Sequence, residues 1–139
     1  MTSPFRACSI VIAAVVALMS LEPRGGLAAT HTKDTLTTVK ERLKDKSAVL
    51  VDVREQGEWD KGHLKDAQLL PLSQLKKEGD VEKLTKKLPK KKIVYCHCGA
   101  GVRALTAADI LKKQGFDVRP LKPGYDDLVK AGFEKAAPR

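Results

Sequence analysis

From about residue 34 onward, two rhythms of apolar residues alternate along this chain. Compact apolar runs predict strands: AVLVDV at 48–53, β-rich and read as buried, AQLL at 67–70, ended by Pro71, KIVYCH at 92–97 and Phe116 to Leu121. Between them, apolar residues recur every three or four positions, the spacing of one helix face. Leu36, Val39 and Leu43 predict a helix through about Lys44, with Asp34 as its cap. A short helix is expected from Glu55 to Lys61, ended by Gly62, and Ser73 is placed to cap a further turn after Pro71. Asp80 is expected to cap VEKLTKKL, with Val81, Leu84 and Leu88 inward and Pro89 as the stop. A longer helix runs from about Val102 to Gln114 on a stripe of Leu105, Ala108 and Leu111, widened by Ala104, Ala107 and Ile110 and stopped by Gly115. Pro123-Gly124 turns into a last helix from Tyr125 to Ala131. Strands alternating with helices predict one α/β domain with a mostly parallel central sheet flanked by helices. Sites on such sheets form at the carboxyl ends of the strands.

The N-terminal pattern is different. Residues 7–21, ACSIVIAAVVALMSL, carry no charge, follow Arg6, and are broken by Glu22-Pro23-Arg24-Gly25-Gly26. Leu27-Ala28-Ala29 then offers the small side chains that a signal peptidase needs. Residues 1–29 are therefore expected to be a signal peptide, cleaved after Ala28 or Ala29, and residues 30–139 the exported domain, periplasmic or secreted. The run is short of the ~20 residues of a spanning helix, and a retained anchor is the alternative. No membrane association is expected after cleavage. No Arg-Arg pair marks twin-arginine export, and Cys8 opens the apolar run, which excludes a lipoprotein.

The length, 139 residues, suits one domain, and 42% hydrophobic with 31% charged residues is ordinary globular composition. The net charge of +9 favours anionic partners. No basic helix is interleaved with aromatics, so nucleic acid is not an expected partner. Removal of residues 1–29 takes Arg6, Arg24 and Glu22, leaving +8, and takes Cys8, leaving Cys96 and Cys98. Two cysteines this close cannot staple a fold, so they call for a chemical explanation.

That chemistry is concentrated in His97-Cys98-Gly99-Ala100-Gly101-Val102-Arg103. A cysteine leaves a strand and enters a glycine-rich turn that opens a helix. The amides of such a turn lack secondary-structure partners and can converge on one point, where the helix start adds partial positive charge. Arg103 can add a full one. Such a nest binds an anion and favours thiolate over thiol. The alternative is a buried structural cysteine beside an ordinary glycine turn.

The run Cys98-x-x-Gly101-Val102-Arg103-Ala104 resembles the active-site loop of rhodanese domains, in which four residues separate cysteine from arginine. Leu50 to Glu55, Glu58-Trp59, Gly62-His63-Leu64, Ala67 and Pro71 resemble an earlier signature of the family, and Gly115 to Val118 with Pro123-Gly124 its last strand and turn. The likeness spans about 34–133. It departs at Lys65-Asp66, where the family has a small residue or Pro and then Gly. Exported single-domain members of the phage-shock protein E kind are similar in size and address. The resemblance implies a sulfurtransferase that carries sulfane sulfur as a Cys98 persulfide, from thiosulfate or a similar small anionic donor to a thiophilic acceptor such as cyanide or a thiol. It implies substrate contacts from Gly99, Ala100, Gly101 and Val102, a catalytic Arg103 that steadies the anionic donor, and neither metal nor organic cofactor. Asp52 and Arg54 are then a structural pair. A monomer is expected.

Three other classes compete with this reading. Related phosphatases and arsenate reductases resemble His-Cys-x5-Arg; the added residue makes room for a tetrahedral oxyanion, and this loop is one residue shorter. A metal-binding module would use Cys96, His97 and Cys98 with His31 or His63, donors too close in sequence for more than weak or linear coordination. A silent binding domain of the same fold would usually lack the cysteine. Trp59 is expected in the core and His63 as a hydrogen-bonded structural residue. Cys96 and Cys98, two apart on a strand, are expected on one side of the sheet. Cys96 is then either a small hydrophobe under the loop or the partner in a strained, reducible bridge.

Overall fold

The Val-rich runs at the centre of the chain's apolar pattern pair as a sheet because they present alternate residues to two different apolar layers. A computed structural model describes residues 28–77 and 79–138. In chain order the elements are α1 (Leu36–Lys44), β1 (Ala48–Asp52), α2 (Gln56–Asp60), β2 (Ala67–Leu69), α3 (Leu72–Leu75), α4 (Val81–Thr85), β3 (Ile93–His97), α5 (Val102–Lys113), β4 (Asp117–Pro120) and α6 (Tyr125–Lys130). The four strands form a parallel sheet in the order β2-β1-β3-β4. The expected α/β domain is therefore present. The predicted signal segment lies outside the described residues, apart from Ala28 and Ala29.

One face of the sheet presents Val51, Val53, Val94, Cys96 and Val118, packed with Leu72, Leu75, Ala104, Ala107, Ala108 and Leu111 from α3 and α5. The other presents Ala48, Leu50 and Tyr95, packed with Val39 of α1 and Leu128 of α6. Each fully buried Leu or Val contributes roughly 1.5–3 kcal/mol, so these two layers, rather than helix propensity in four- and five-residue helices, hold the elements in place. Cys96 and Cys98 share the first layer, as the strand period requires.

Several local expectations are corrected. Thr35, not Asp34, caps α1, its hydroxyl accepting the Thr38 N–H at 3.2 Å. Asp34 Oδ2 is instead drawn to Arg42 (2.7 Å), Arg119 (2.8 Å) and the Tyr95 hydroxyl (2.6 Å). Pro71 precedes α3 as its cap residue, and Ser73 lies inside the helix with its hydroxyl on Glu55 (2.6 Å). α4 stops at Thr85, whose hydroxyl donates to the Val81 carbonyl (2.8 Å), although Leu88 is still buried. Trp59 is not core: α2 has no buried residue, and the indole stacks flat on the His63 ring with centroids 3.6 Å apart.

Candidate active site

β3 delivers Cys98 to the carboxyl edge of the sheet, one residue beyond its end. The turn that follows closes because Gly101 adopts φ +88°, a left-handed conformation that a Cβ disfavours, and because its α-carbon faces the Lys122 carbonyl with room for none. A Cβ built there would lie 2.5 Å from that oxygen. In this conformation the Gly101 N–H donates to Cys98 Sγ at 3.0 Å. The cysteine is 1% exposed, while Gly99 and Ala100 are exposed above it. Val102, at the first position of α5, is 70% exposed. The sulfur thus sits under a rim of loop backbone at the start of a 12-residue helix, whose N-terminal partial charge is positive.

Arg103 is one residue into α5, and its hydrogen bonds to Glu58 hold it firmly protonated. Its guanidinium is clamped by Glu58 of α2, Nη1 to Oε2 at 2.6 Å and Nη2 to Oε1 at 2.8 Å. Glu58 also accepts the Glu55 N–H at 3.0 Å in a reciprocal cap of α2. The hydrogen bonds from Arg103 hold the Glu58 carboxyl far below the ordinary range, to about 2.

Behind the loop stands a second layer of contacts. Arg54 makes a bidentate, buried pair with Asp52 (Nη2 to Oδ2 2.7 Å, Nε to Oδ1 3.0 Å), donates to the Gly62 carbonyl and lies 4.1 Å over the Tyr125 ring. Tyr125 N–H in turn donates to the Cys98 carbonyl at 2.9 Å. Asp52 and Arg54 therefore act as the expected structural pair. Gly124 lets the turn before α6 touch the loop, since a Cβ there would lie 1.7 Å from the Gly99 carbonyl oxygen. From the N-terminal side, His31 Nε2 is 3.1 Å from the Gly101 carbonyl.

The neighbours of Cys98 have other surroundings. Cys96 is a free, buried thiol that donates to the Ala104 carbonyl (3.4 Å), and burial pushes its pKa up. It packs as a small hydrophobe. His97 turns toward Asp52, its Nε2 3.7 Å from Oδ2 and without a hydrogen-bond partner; burial lowers its pKa, so the ring is neutral. His63 is held through Nδ1 at 3.1 Å from the Trp59 carbonyl, the expected structural role. The histidines thus face three different places, and among the described residues no three Cys, His, Asp or Glu converge as a metal site. A cavity of about 530 Å³ is lined by Trp59, His63, Leu69, Tyr125 and the chain near Lys135, with Cys98 outside its wall. Glu58, Gly124 and His31 were not expected at the site, although Glu58 and Gly124 lie within the motifs quoted above.

The profile of the family described as Rhodanese-like domain matches residues 35–131. The chain belongs to the rhodanese-like domain family. The Bacillus subtilis protein YqhL is 37% identical over 92 residues, 66% of this chain and 68% of that protein. Bacillus subtilis YrkF, named as a sulfur carrier protein, is 35% identical over 95 residues, 67% of this chain and 48% of its own length, so this rhodanese-like chain spans about half of YrkF. The solved structure of the rhodanese-like domain of the Anabaena Alr3790 protein has a TM-score of 0.63 at 22% identity, covering 78% of this chain and 80% of that one. At that identity the likeness concerns the rhodanese-like fold alone.

Proposed function

We propose that this protein is a sulfurtransferase that works through a persulfide on Cys98. The observation that carries the reading is the Gly101 N–H aimed at Cys98 Sγ, in a loop of four residues between cysteine and arginine. A relative named as a sulfur carrier supports the same chemistry. The Cys98 thiolate attacks the outer sulfur of thiosulfate; the new S–S bond forms as the bond to the sulfonate breaks, and sulfite leaves with the electron pair. The persulfide sulfur takes the place of the thiolate against the Gly101 amide and the start of α5. A thiophile such as cyanide then attacks that outer sulfur and leaves the Cys98 thiolate. Arg103 is the charge that would receive the anionic donor. Residues 99–102 keep the pocket sized for one sulfur atom rather than a tetrahedral oxyanion. The test is sulfite and thiocyanate formation from thiosulfate and cyanide. The wild type turns over, Cys98→Ser does not, and Cys96→Ser retains substantial activity; full activity in Cys98→Ser overturns the reading.

Export belongs to the same proposal. Ala29 is buried in the layer of α5, and its N–H donates to Asp109 Oδ1 at 2.6 Å. Cleavage after Ala28 would leave an ammonium group against that carboxylate, whereas cleavage after Ala29 would discard a packed residue.

A further inference from the structure

We propose that Glu58 sets the charge specificity of the sulfur donor, by occupying Arg103 and disfavouring dianions relative to singly charged donors. This rests on the sulfur-transfer reading of Cys98. Both terminal nitrogens of the loop arginine are already engaged by one carboxylate, in the fork geometry that an anionic donor would itself seek. The pair stands at the loop itself: a Cβ built on the exposed Gly99 would lie 3.1 Å from Arg103 Nη2 and 3.8 Å from Glu58 Oε1. Glu58 is also anchored from behind by the Glu55 N–H, so it does not swing aside without uncapping α2. Glu55 adds a second carboxylate within Coulombic reach of Arg103. The chain as a whole is strongly basic, at +9, yet the loop's own cation, Arg103, is paired with the Glu58 carboxylate at 2.6 Å.

An anionic donor at this loop must therefore compete with Glu58 for the guanidinium or bind beside its carboxylate. Either way the penalty scales with donor charge. For one carboxylate some 6–8 Å from a dianion in a water-like dielectric, the effect is roughly tenfold in affinity, and about threefold for a monoanion. Gln keeps the shape and one acceptor oxygen, which can take the place of Oε2 toward both the Glu55 N–H and Arg103 Nη1 while its amide nitrogen faces Nη2, so Glu58→Gln keeps the helix cap and removes the charge and one clamp bond.

The experiment compares thiosulfate, a dianion, with methanethiosulfonate, a monoanion that donates its outer sulfur and releases methanesulfinate. Cyanide is the acceptor. KM for each donor is measured in the wild type and in Glu58→Gln, at about 20 mM and about 500 mM KCl. The expected result is a KM for thiosulfate that falls roughly tenfold in Glu58→Gln, a smaller fall for methanethiosulfonate, and a thiosulfate-to-methanethiosulfonate difference that shrinks at high salt. Because the two donors are compared within one protein, a loss of folded material cancels. Equal changes for both donors, or a rise for thiosulfate, would show that Glu58 is only a clamp and overturn the proposal. Absence of turnover with either donor in the wild type would instead overturn the sulfur-transfer reading beneath it.

Discussion

Gly124→Ala puts one methyl group where the structure has room for none. Gly124 has φ −82°, a value open to alanine, so the backbone itself does not object. The obstruction is the active-site loop. The new Cβ would lie 1.7 Å from the Gly99 carbonyl oxygen, 2.4 Å from its carbon and 3.0 Å from the Ala100 nitrogen, all backbone atoms with no rotamer to give. Restoring ordinary contact distances requires the loop and the turn to separate by roughly 1.5 Å. Overpacking of this kind costs about 1–3 kcal/mol, and the Tyr125-to-Cys98 hydrogen bond it strains is worth about 1 kcal/mol more. For a domain of this size, ~2–4 kcal/mol lowers Tm by roughly 10–20 °C. Displacement of the Cys98 backbone by about 1 Å should cost on the order of 100-fold in turnover of whatever reaction the loop performs. Gly57→Ala is the matched control: its Cβ meets nothing within 4 Å, it lies in α2, and helix propensity predicts a Tm equal to or slightly above wild type. Thermal denaturation and turnover of the two variants are compared side by side. A Gly124→Ala protein that melts within about 2 °C of wild type and keeps its turnover would refute the reasoning that the turn and the loop are in contact.

Arg54→Ala removes the partner of a buried carboxylate and should cost roughly 3–5 kcal/mol, read by urea denaturation; a cost under about 1 kcal/mol would mean that Asp52 finds another partner. The Glu58 carboxyl, held at about 2, lies below the value near 4.5 that it has when unpaired, so its contribution to stability is present above pH 4.5 and is lost as pH falls toward 2. The pair is more than a third exposed on the Glu58 side, so this contribution is at most about 1 kcal/mol, and Glu58→Gln should flatten the acid limb of a stability–pH curve by that amount. The proposed export predicts that N-terminal sequencing of protein from its native host begins at Ala29, and that Asp109→Asn destabilises a chain starting there; an intact Met1 on membrane-bound protein would count against processing.

The sheet was legible because its chemistry is local. Alternation of Val94, Tyr95 and Cys96 along β3 places successive side chains on opposite layers whatever the rest of the chain does. The nucleophile loop was legible for the same reason, since glycine, cysteine and arginine sit within six consecutive residues. What eluded the sequence was set by distant partners. Asp34 looks like a cap, but Tyr95 and Arg119, 61 and 85 residues away, take its carboxylate, and Thr35 does the capping. Ser73 is likewise claimed by Glu55. Trp59 looked buried because indoles usually are, but α2 is too short to bury a face, and the ring found His63 one turn away. Arg103 pointed to a donor site, while its actual partner lies 45 residues earlier on α2. No spacing rule reports such a pair.

Where sulfur resides after contact with a donor decides whether Cys98 is the carrier. The protein is incubated with thiosulfate, freed of small molecules, and digested for mass spectrometry under non-reducing conditions. Sulfur transfer through Cys98 predicts an added mass of about 32 Da on that residue, cleared by cyanide and absent in Cys98→Ser. An adduct confined to Cys96, or none on either thiol while Cys98 remains reduced, would contradict it.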